Sequence, residues 1–212
     1  MKKILLNILA LSLFTLTSLA QGVNITPQPD SIVVTKGTIT ITGYTLIGDK
    51  KADSEAVALL QKALIRETPS KSRKALKIVI GERNDKAVRK YRKQIPAVPG
   101  GYYLTTNNKE VVIAGYDASG TYYGVQSLAQ IIGIHTLPQV TIIDSPDVPF
   151  RGVVEGFYGT PWSHRDRISL LTFMGKIRMN TYIYGPKDDP YHSSPNWRQP
   201  YPAKEAAQIS EL

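Results

Sequence analysis

The sequence contains no cysteine among its 212 residues. This absence excludes a disulfide framework, and it excludes lipid attachment to a cysteine at an N-terminal cleavage site. A chain of this size without disulfides depends on its apolar core for stability.

Histidine is also scarce, with three in the chain. His164 and His192 are isolated in the sequence and lack the spacing of metal ligands, which favours surface positions for both. We therefore predict neither a metal site nor a cofactor. The sequence shows no internal repeat, no low-complexity tract and no recognised nucleic-acid-binding motif.

The N-terminus has the pattern of a targeting segment. Lys2 and Lys3 precede an apolar core at residues 4–19, and small residues end this core at Ala20. The pattern predicts that residues 1–20 are a secretory signal peptide and that the mature chain is periplasmic or extracellular. Several polar residues interrupt the apolar core, which argues against a stable membrane span.

The chain is basic, with 26 Lys and Arg against 17 Asp and Glu, and its net charge of +9 falls to +7 without Lys2 and Lys3. The excess is concentrated in one segment, here named the basic patch: Lys71, Arg73, Lys74, Lys77, Lys86, Arg89, Lys90, Arg92 and Lys93. Such a patch either binds an anionic polymer or only solvates a helix face. Export and the missing motif argue against nucleic acid, so we predict no nucleic-acid partner.

Residues 21–147 mix strand and helix patterns, which predicts a small, compact α+β domain. Predicted strands cover residues 32–34, 38–42, 76–80, 101–105, 111–115 and 140–143. A turn at Lys36-Gly37 joins the first two strands, and a hairpin turn at Asn107-Asn108 joins the fourth to the fifth. Predicted helices are one capped by Asp53 or Ser54, a basic helix at residues 85–95, and one at residues 119–132.

The two prolines, Ser and Asp of residues 144–149 are typical of a linker, and a second domain is predicted to begin at residue 148. Short apolar runs around Val153 and at residues 181–184 flank a helix-like segment that follows Ser163. Strand, helix and strand predict two parallel strands with a right-handed crossover. Chemistry in parallel α/β folds lies at the carboxyl ends of strands, so the two loops that follow these strands are candidate site loops on one rim.

The segment R-G-V-V-E-G-F-Y-G-T-P-W, together with the later M-N-T-Y-I-Y-G-P-K-D-D-P-Y-H, resembles the start of the catalytic barrel in glycoside hydrolase family 84. Residues 24–147 resemble the small α+β domain that precedes this barrel in bacterial members. The implied fold is an α+β N-terminal domain, followed at residues 148–212 by the first βαβ part of a truncated (β/α)8 TIM barrel. The implied activity is that of an O-GlcNAcase-type β-N-acetylglucosaminidase, with a GlcNAc-containing glycan or glycoprotein as substrate.

The resemblance also shows what this sequence lacks. Family members use two adjacent aspartates after a later barrel strand, and the substrate's own acetamido group is the nucleophile. No such motif follows Asp189, and roughly 60 residues of a barrel that needs about 250 are present. We therefore expect the N-terminal part of a longer enzyme, inactive alone, with its catalytic pair downstream of Leu212. The alternative is a non-enzymatic, secreted glycan-binding or accessory module.

Three residues match substrate-contacting positions of the family. The resemblance implies that the carbonyl of Gly156 accepts from a sugar hydroxyl, that Lys187 donates to a ring hydroxyl, and that Tyr158 borders the acetamido pocket. Glycine suits a close approach of the backbone to a ligand, and an ammonium group offers three donors.

The remaining candidates have structural interpretations. Asp188 and Asp189 are adjacent carboxylates, as an acid–base pair requires, but their loop matches a substrate-contact loop, so we predict a structural role with Lys187 as neutralising partner. Glu155 is predicted to be a buried, hydrogen-bonded carboxylate. Phe157 and Trp162 are predicted to pack at the rim.

Overall fold

The computed structural model describes residues 23–212 and shows two units in contact. The first unit is a mixed six-stranded sheet in the order β1-β6-β4-β5-β3-β2, with both of its α-helices on one face. Its elements are β1 (Ser31–Thr40), β2 (Tyr44–Ile47), α1 (Ser54–Ala63), β3 (Leu76–Glu82), β4 (Tyr102–Thr106), β5 (Glu110–Gly115), α2 (Ala118–Ile131) and β6 (Thr136–Asp144). The predicted α+β class is confirmed. Between residues 23 and 212, no helix combines the length and the apolar character that crossing a membrane requires.

Side-chain caps begin both helices of the first unit. The Asp53 carboxylate, one of the two caps predicted for α1, accepts the amide of Ala56 at 2.9 Å. Asp117 accepts the amide of Gly120 at 2.8 Å, so α2 begins one residue before the predicted start. Both helices then bury apolar side chains against the central strands, which forms the larger core.

The predicted turn at Lys36-Gly37 is wrong. Residues 31–40 form one strand, which pairs antiparallel with β6 on both sides of an irregularity between Thr35 and Thr38. Gly37 has φ +118° there, a conformation that glycine adopts readily. A bulge places extra residues in a strand without reversing the chain. The Lys36-Gly37 pair was therefore compatible with a bulge as well as with the predicted turn.

The predicted basic helix at residues 85–95 is also wrong, because only Arg89–Tyr91 forms a short 3-10 helix. A full helix would place like charges four residues apart, for example Lys86 beside Lys90 and Arg89 beside Lys93, which is unfavourable. The segment instead packs three separate side chains on the sheet face opposite α1 and α2: Val88, Tyr91 and Ile95. Every residue of the basic patch is exposed.

The second unit contains the predicted strand–helix–strand. Its elements are β7 (Gly152–Glu155), α3 (His164–Lys176), β8 (Thr181–Tyr184) and α4 (Ala203–Glu211). The two strands are parallel, as predicted, and Ser163 caps α3 by accepting the amide of Asp166. The sequence pattern of α3 favours Ile168, Leu171, Phe173 and Met174 as its inward side, but Phe173 is 54% exposed and the buried residues are Met174 and Arg167.

Two arginines join the second unit to the first. The Arg151 guanidinium lies over the Tyr123 ring, 5.6 Å from its centroid, and donates to the Tyr123 hydroxyl at 3.1 Å. It also donates to the carbonyl of Arg178. Arg178 in turn donates to Tyr102 at 2.6 Å and to Ser127 at 2.9 Å, inside the first unit. The predicted linker is therefore spanned by buried polar contacts.

Candidate functional site

The loops that follow β7 and β8 lie side by side, as predicted from the parallel strands. The amide of Gly185 donates to the carbonyl of Glu155 at 2.8 Å, and the amide of Lys187 donates to the carbonyl of Phe157 at 3.0 Å. These bonds extend the strand pairing past the ends of the sheet. They place Gly156 and Lys187 on one rim.

Gly156 is exposed, and the folded chain around it does not require glycine. A Cβ atom built there would meet only the Val154 side chain, at 3.1 Å. Gly152, by contrast, is required by packing, because its Cβ would lie 1.5 Å from the Thr181 carbonyl oxygen. The backbone at residue 156 is therefore open to an approaching ligand.

Tyr158 and Lys187 are both exposed, Tyr158 to 83%. Within residues 23–212, the Lys187 ammonium forms no ion pair, so the expected neutralisation of Asp188 by Lys187 is wrong. The Asp188 carboxylate instead accepts the amide of Gly159 at 2.8 Å. The Lys187 ammonium is left available to a ligand.

Asp189 organises the loop after β8. Its side chain is buried and accepts four hydrogen bonds, from the Tyr184 and Tyr201 hydroxyls and from the amides of Tyr191 and His192. Burial alone would raise the pKa of this carboxyl, but the hydrogen bonds outweigh burial and lower it. A carboxylate held in this way is suited to fixing a loop and unsuited to donating a proton.

Glu155 is fully buried at the end of β7, as predicted. Arg167 donates two hydrogen bonds of 2.8 Å to it, the Tyr182 hydroxyl a third, and the Trp162 amide a fourth at 2.9 Å. Burial opposes ionisation, but these donors outweigh it and lower the pKa of Glu155. Burial, followed by the bond to Glu155, raises the pKa of Tyr182 to about 12, so its phenol remains a donor.

Sequence reasoning missed Arg167. The usable signal was its position one turn after the Ser163 cap, where a helix that packs against the end of β7 faces Glu155. Its guanidinium also lies 4.8 Å from the centroid of the Tyr184 ring, in β8. Arg167 thus contacts both strands that carry the rim.

The aromatic and histidine predictions have mixed outcomes. The Phe157 and Trp162 rings pack against each other, as predicted, with their centroids 5.4 Å apart. His164 is not a free surface residue, because its Nε2 lies 2.9 Å from the Glu211 carboxylate and its Nδ1 is buried. His192 is exposed and lies edge-on to Tyr184. In the described part of the chain, no three His, Cys, Asp or Glu side chains are grouped to hold a metal ion.

Each unit matches a known protein family. Residues 22–145, more than half of the chain, match the family described as glycosyl hydrolase family 20, domain 2. Residues 151–212, which contain both loops of the rim, match the family described as beta-N-acetylglucosaminidase.

Two solved structures are similar to this chain over most of its length. CpGH84B is 34% identical in sequence to this chain, and its structure matches with a TM-score of 0.80. The match covers 90% of this chain and 34% of CpGH84B. CpGH84D is 28% identical in sequence to this chain, with a TM-score of 0.80. The match covers 90% of this chain and 35% of CpGH84D. Protein O-GlcNAcase of Rattus norvegicus is 48% identical over 61 residues, which are 29% of this chain and 7% of the rat protein. The chain therefore spans about a third of these solved relatives and less than a tenth of the rat protein.

Proposed function

Residues 22–145 belong to the family described as glycosyl hydrolase family 20, domain 2, and we propose that the whole chain is part of a GH84-like β-N-acetylglucosaminidase. The substrate is a GlcNAc-bearing glycan or glycoprotein. In this proposal the chain supplies part of the sugar-binding surface, and the catalytic aspartate pair lies outside its 212 residues.

One observation carries the proposal. The exposed Gly156 and a Lys187 ammonium without an ion pair among residues 23–212 lie on one rim, in a segment that matches the beta-N-acetylglucosaminidase family. A carbonyl accepts hydrogen bonds and an ammonium donates them, so together they complement the donor and acceptor hydroxyls of a sugar ring. The exposed Tyr158 phenol adds a flat apolar surface with a polar end.

The reaction that we infer is hydrolysis with retention, assisted by the substrate. One aspartate orients the acetamido group, whose carbonyl oxygen attacks the anomeric carbon while the glycosidic bond breaks. The second aspartate protonates the leaving oxygen, and then takes a proton from the water that opens the oxazoline. Glu155 and Asp189 are buried and committed to several donors each, so neither is assigned to these steps.

The proposal is tested with an aryl N-acetyl-β-D-glucosaminide as substrate. We expect the 212-residue chain to release no aryl alcohol, and a longer product that includes the aspartate pair to release it. We also expect N-acetylglucosamine to shift the amide resonances of Gly156 and Lys187 in the 212-residue chain. Hydrolysis by the chain alone would contradict the placement of the catalytic pair. Absence of any shift would favour the accessory-module alternative.

Export completes the proposal. We propose that residues 1–20 are cleaved after Ala20 and that the mature chain is periplasmic or extracellular, on the basis of the charged, apolar and small-residue pattern. The predicted signal peptide lies outside the described residues. N-terminal sequencing of the mature protein is the test, and a first residue other than Gln21 would contradict this cleavage site.

A further inference from the structure

Tyr158 lies between two hydrogen bonds that cross from its loop to the loop after β8. On one side, the carbonyl of Phe157 accepts the Lys187 amide at 3.0 Å. On the other side, the amide of Gly159 donates to the Asp188 carboxylate at 2.8 Å. The exposed phenol is thus the tip of a loop that is fixed on both flanks to residues 187 and 188.

The two bonds differ in kind. The Phe157 bond joins two backbones and continues the pairing of β7 with β8, so any residue at position 187 except proline would form it. The Gly159 bond depends on one side chain, and its acceptor is a carboxylate, which makes it the stronger type of hydrogen bond. The contact between the Tyr158 loop and the loop after β8 therefore depends on the side chain of Asp188.

The backbone at Gly159 shows why a fixing contact is needed there. Its φ is +108°, a conformation that residues with a side chain rarely adopt, and a Cβ atom built on it would meet nothing within 4 Å. Packing therefore does not hold this turn in place. Among the described contacts, the Asp188 carboxylate restrains its amide.

We propose that Asp188 is a positioning residue that holds the Tyr158 ring beside the Lys187 ammonium, so that one sugar contacts both. The inference rests on the proposed function, because it deepens the role of the same rim. It assigns Asp188 no contact with substrate and no proton transfer. Lys187 and Asp188 form no ion pair with each other, so the ammonium is available to the ligand.

The experiment uses the 15N-labelled 212-residue chain, with N-acetylglucosamine as the probe. Asp188→Ala removes the acceptor, whereas Asp188→Asn keeps an oxygen in the same place and is the matched conservative variant. We expect Asp188→Ala to shift the Gly159 amide resonance, to speed its hydrogen exchange, and to weaken sugar affinity roughly fivefold, the typical loss for one hydrogen bond. We expect Asp188→Asn to retain affinity within about twofold.

A double-mutant cycle separates positioning from general damage to the fold. If Asp188 acts through Tyr158, then Asp188→Ala has no further effect on affinity in a Tyr158→Ala background. Additive losses in the double variant would overturn the proposal, as would an unchanged Gly159 amide in Asp188→Ala. Lys187→Met tests the proposed function separately. If it leaves affinity unchanged, the assignment of the rim as the sugar site fails, while the Gly159 resonance still reports on the contact with Asp188.

Discussion

Arg178 and Asp144 form a buried ion pair, with Nη1 of the arginine 3.0 Å from Oδ2 of the aspartate. Asp144 ends β6 of the first unit, and Arg178 lies between α3 and β8 of the second. The Arg178 backbone has φ +61°, an uncommon conformation for a residue with a side chain. The two units are thus connected by a desolvated charge pair as well as by the chain itself.

The first prediction concerns this pair. Arg178→Met leaves Asp144 buried without its cation, and removal of one partner of a buried pair typically costs about 3–5 kcal/mol of unfolding free energy. We expect Arg178→Met and Asp144→Asn each to approach that loss, and the double variant to lose less than the sum. Urea denaturation measures the three values. Arg165→Met, which removes an exposed arginine from α3, is the control and should change stability little.

A second measurement addresses the segment between the units. The linker sequence alone predicts that a protease cuts near Asp147 and leaves residues 24–147 as a stable core. The contacts of Arg151 and Arg178 instead predict that this segment of the native chain is protected from the protease. We expect Arg178→Met to expose the cleavage site. Equal cleavage of the native chain and the variant would show that the buried pair does not protect this segment.

The second prediction concerns pH and Glu155. Its pKa is lowered in the folded chain, so it stabilises the fold above its unfolded value of about 4.3, and this stability is lost as the pH falls through the folded value. Glu155→Gln leaves Arg167 without its anion, and we expect a loss of about 3 kcal/mol or more near neutral pH. The difference between native and variant chains should shrink as the pH is lowered below 4. Glu205→Gln, on the exposed side of α4, is the control.

A constant difference between native and Glu155→Gln chains from pH 7 to pH 3 would contradict this assignment. Asp189, whose pKa is also lowered, contributes the same sign of pH dependence in both chains. It therefore cancels from the comparison.

The third prediction concerns the basic patch. Its residues are exposed, and Lys90 is already paired with Glu110 at 2.9 Å. We expect heparin or hyaluronan to bind weakly, to be released by moderate salt, and to show no dependence on Arg89 or Arg92 individually. Sub-micromolar binding that is abolished when both are changed to Glu would instead support an anionic-glycan site.

Elements that depend on neighbouring residues in the sequence were predicted, whereas elements that depend on contacts with distant residues were not. The Asp53 cap, the hairpin at Asn107-Asn108 and the strands β7 and β8 were predicted because local patterns specify them. The short strand β2 was missed because its parallel pairing with β3 is not a local property. The helix at residues 85–95 was wrong because sheet contacts of Val88, Tyr91 and Ile95 replaced helical ones.

At the site, the rim was predictable and its internal contacts were not. Parallel strands alone place Gly156 and Lys187 on one edge. The partners of Asp188 and Glu155 depend on loop and helix conformations, and no sequence spacing specifies these. The sequence therefore suggested Lys187 as the partner of Asp188, whereas the partner is the Gly159 amide.

The fourth prediction concerns Lys187 and requires a product that includes the aspartate pair. In the proposed function Lys187 donates to a neutral hydroxyl without proton transfer, and loss of a charged donor costs up to about 3 kcal/mol. We expect Lys187→Ala to reduce kcat/KM for an aryl N-acetylglucosaminide by roughly ten- to a hundredfold, at about 1.4 kcal/mol per decade. Both limbs of the pH profile should remain, because the proposal assigns them to the aspartate pair. Asp188→Asn, which keeps an acceptor for the Gly159 amide, should do less. If Asp188→Asn or Asp189→Asn abolished the acidic limb while circular dichroism remained native, the catalytic pair would lie in this rim and our assignment would be wrong.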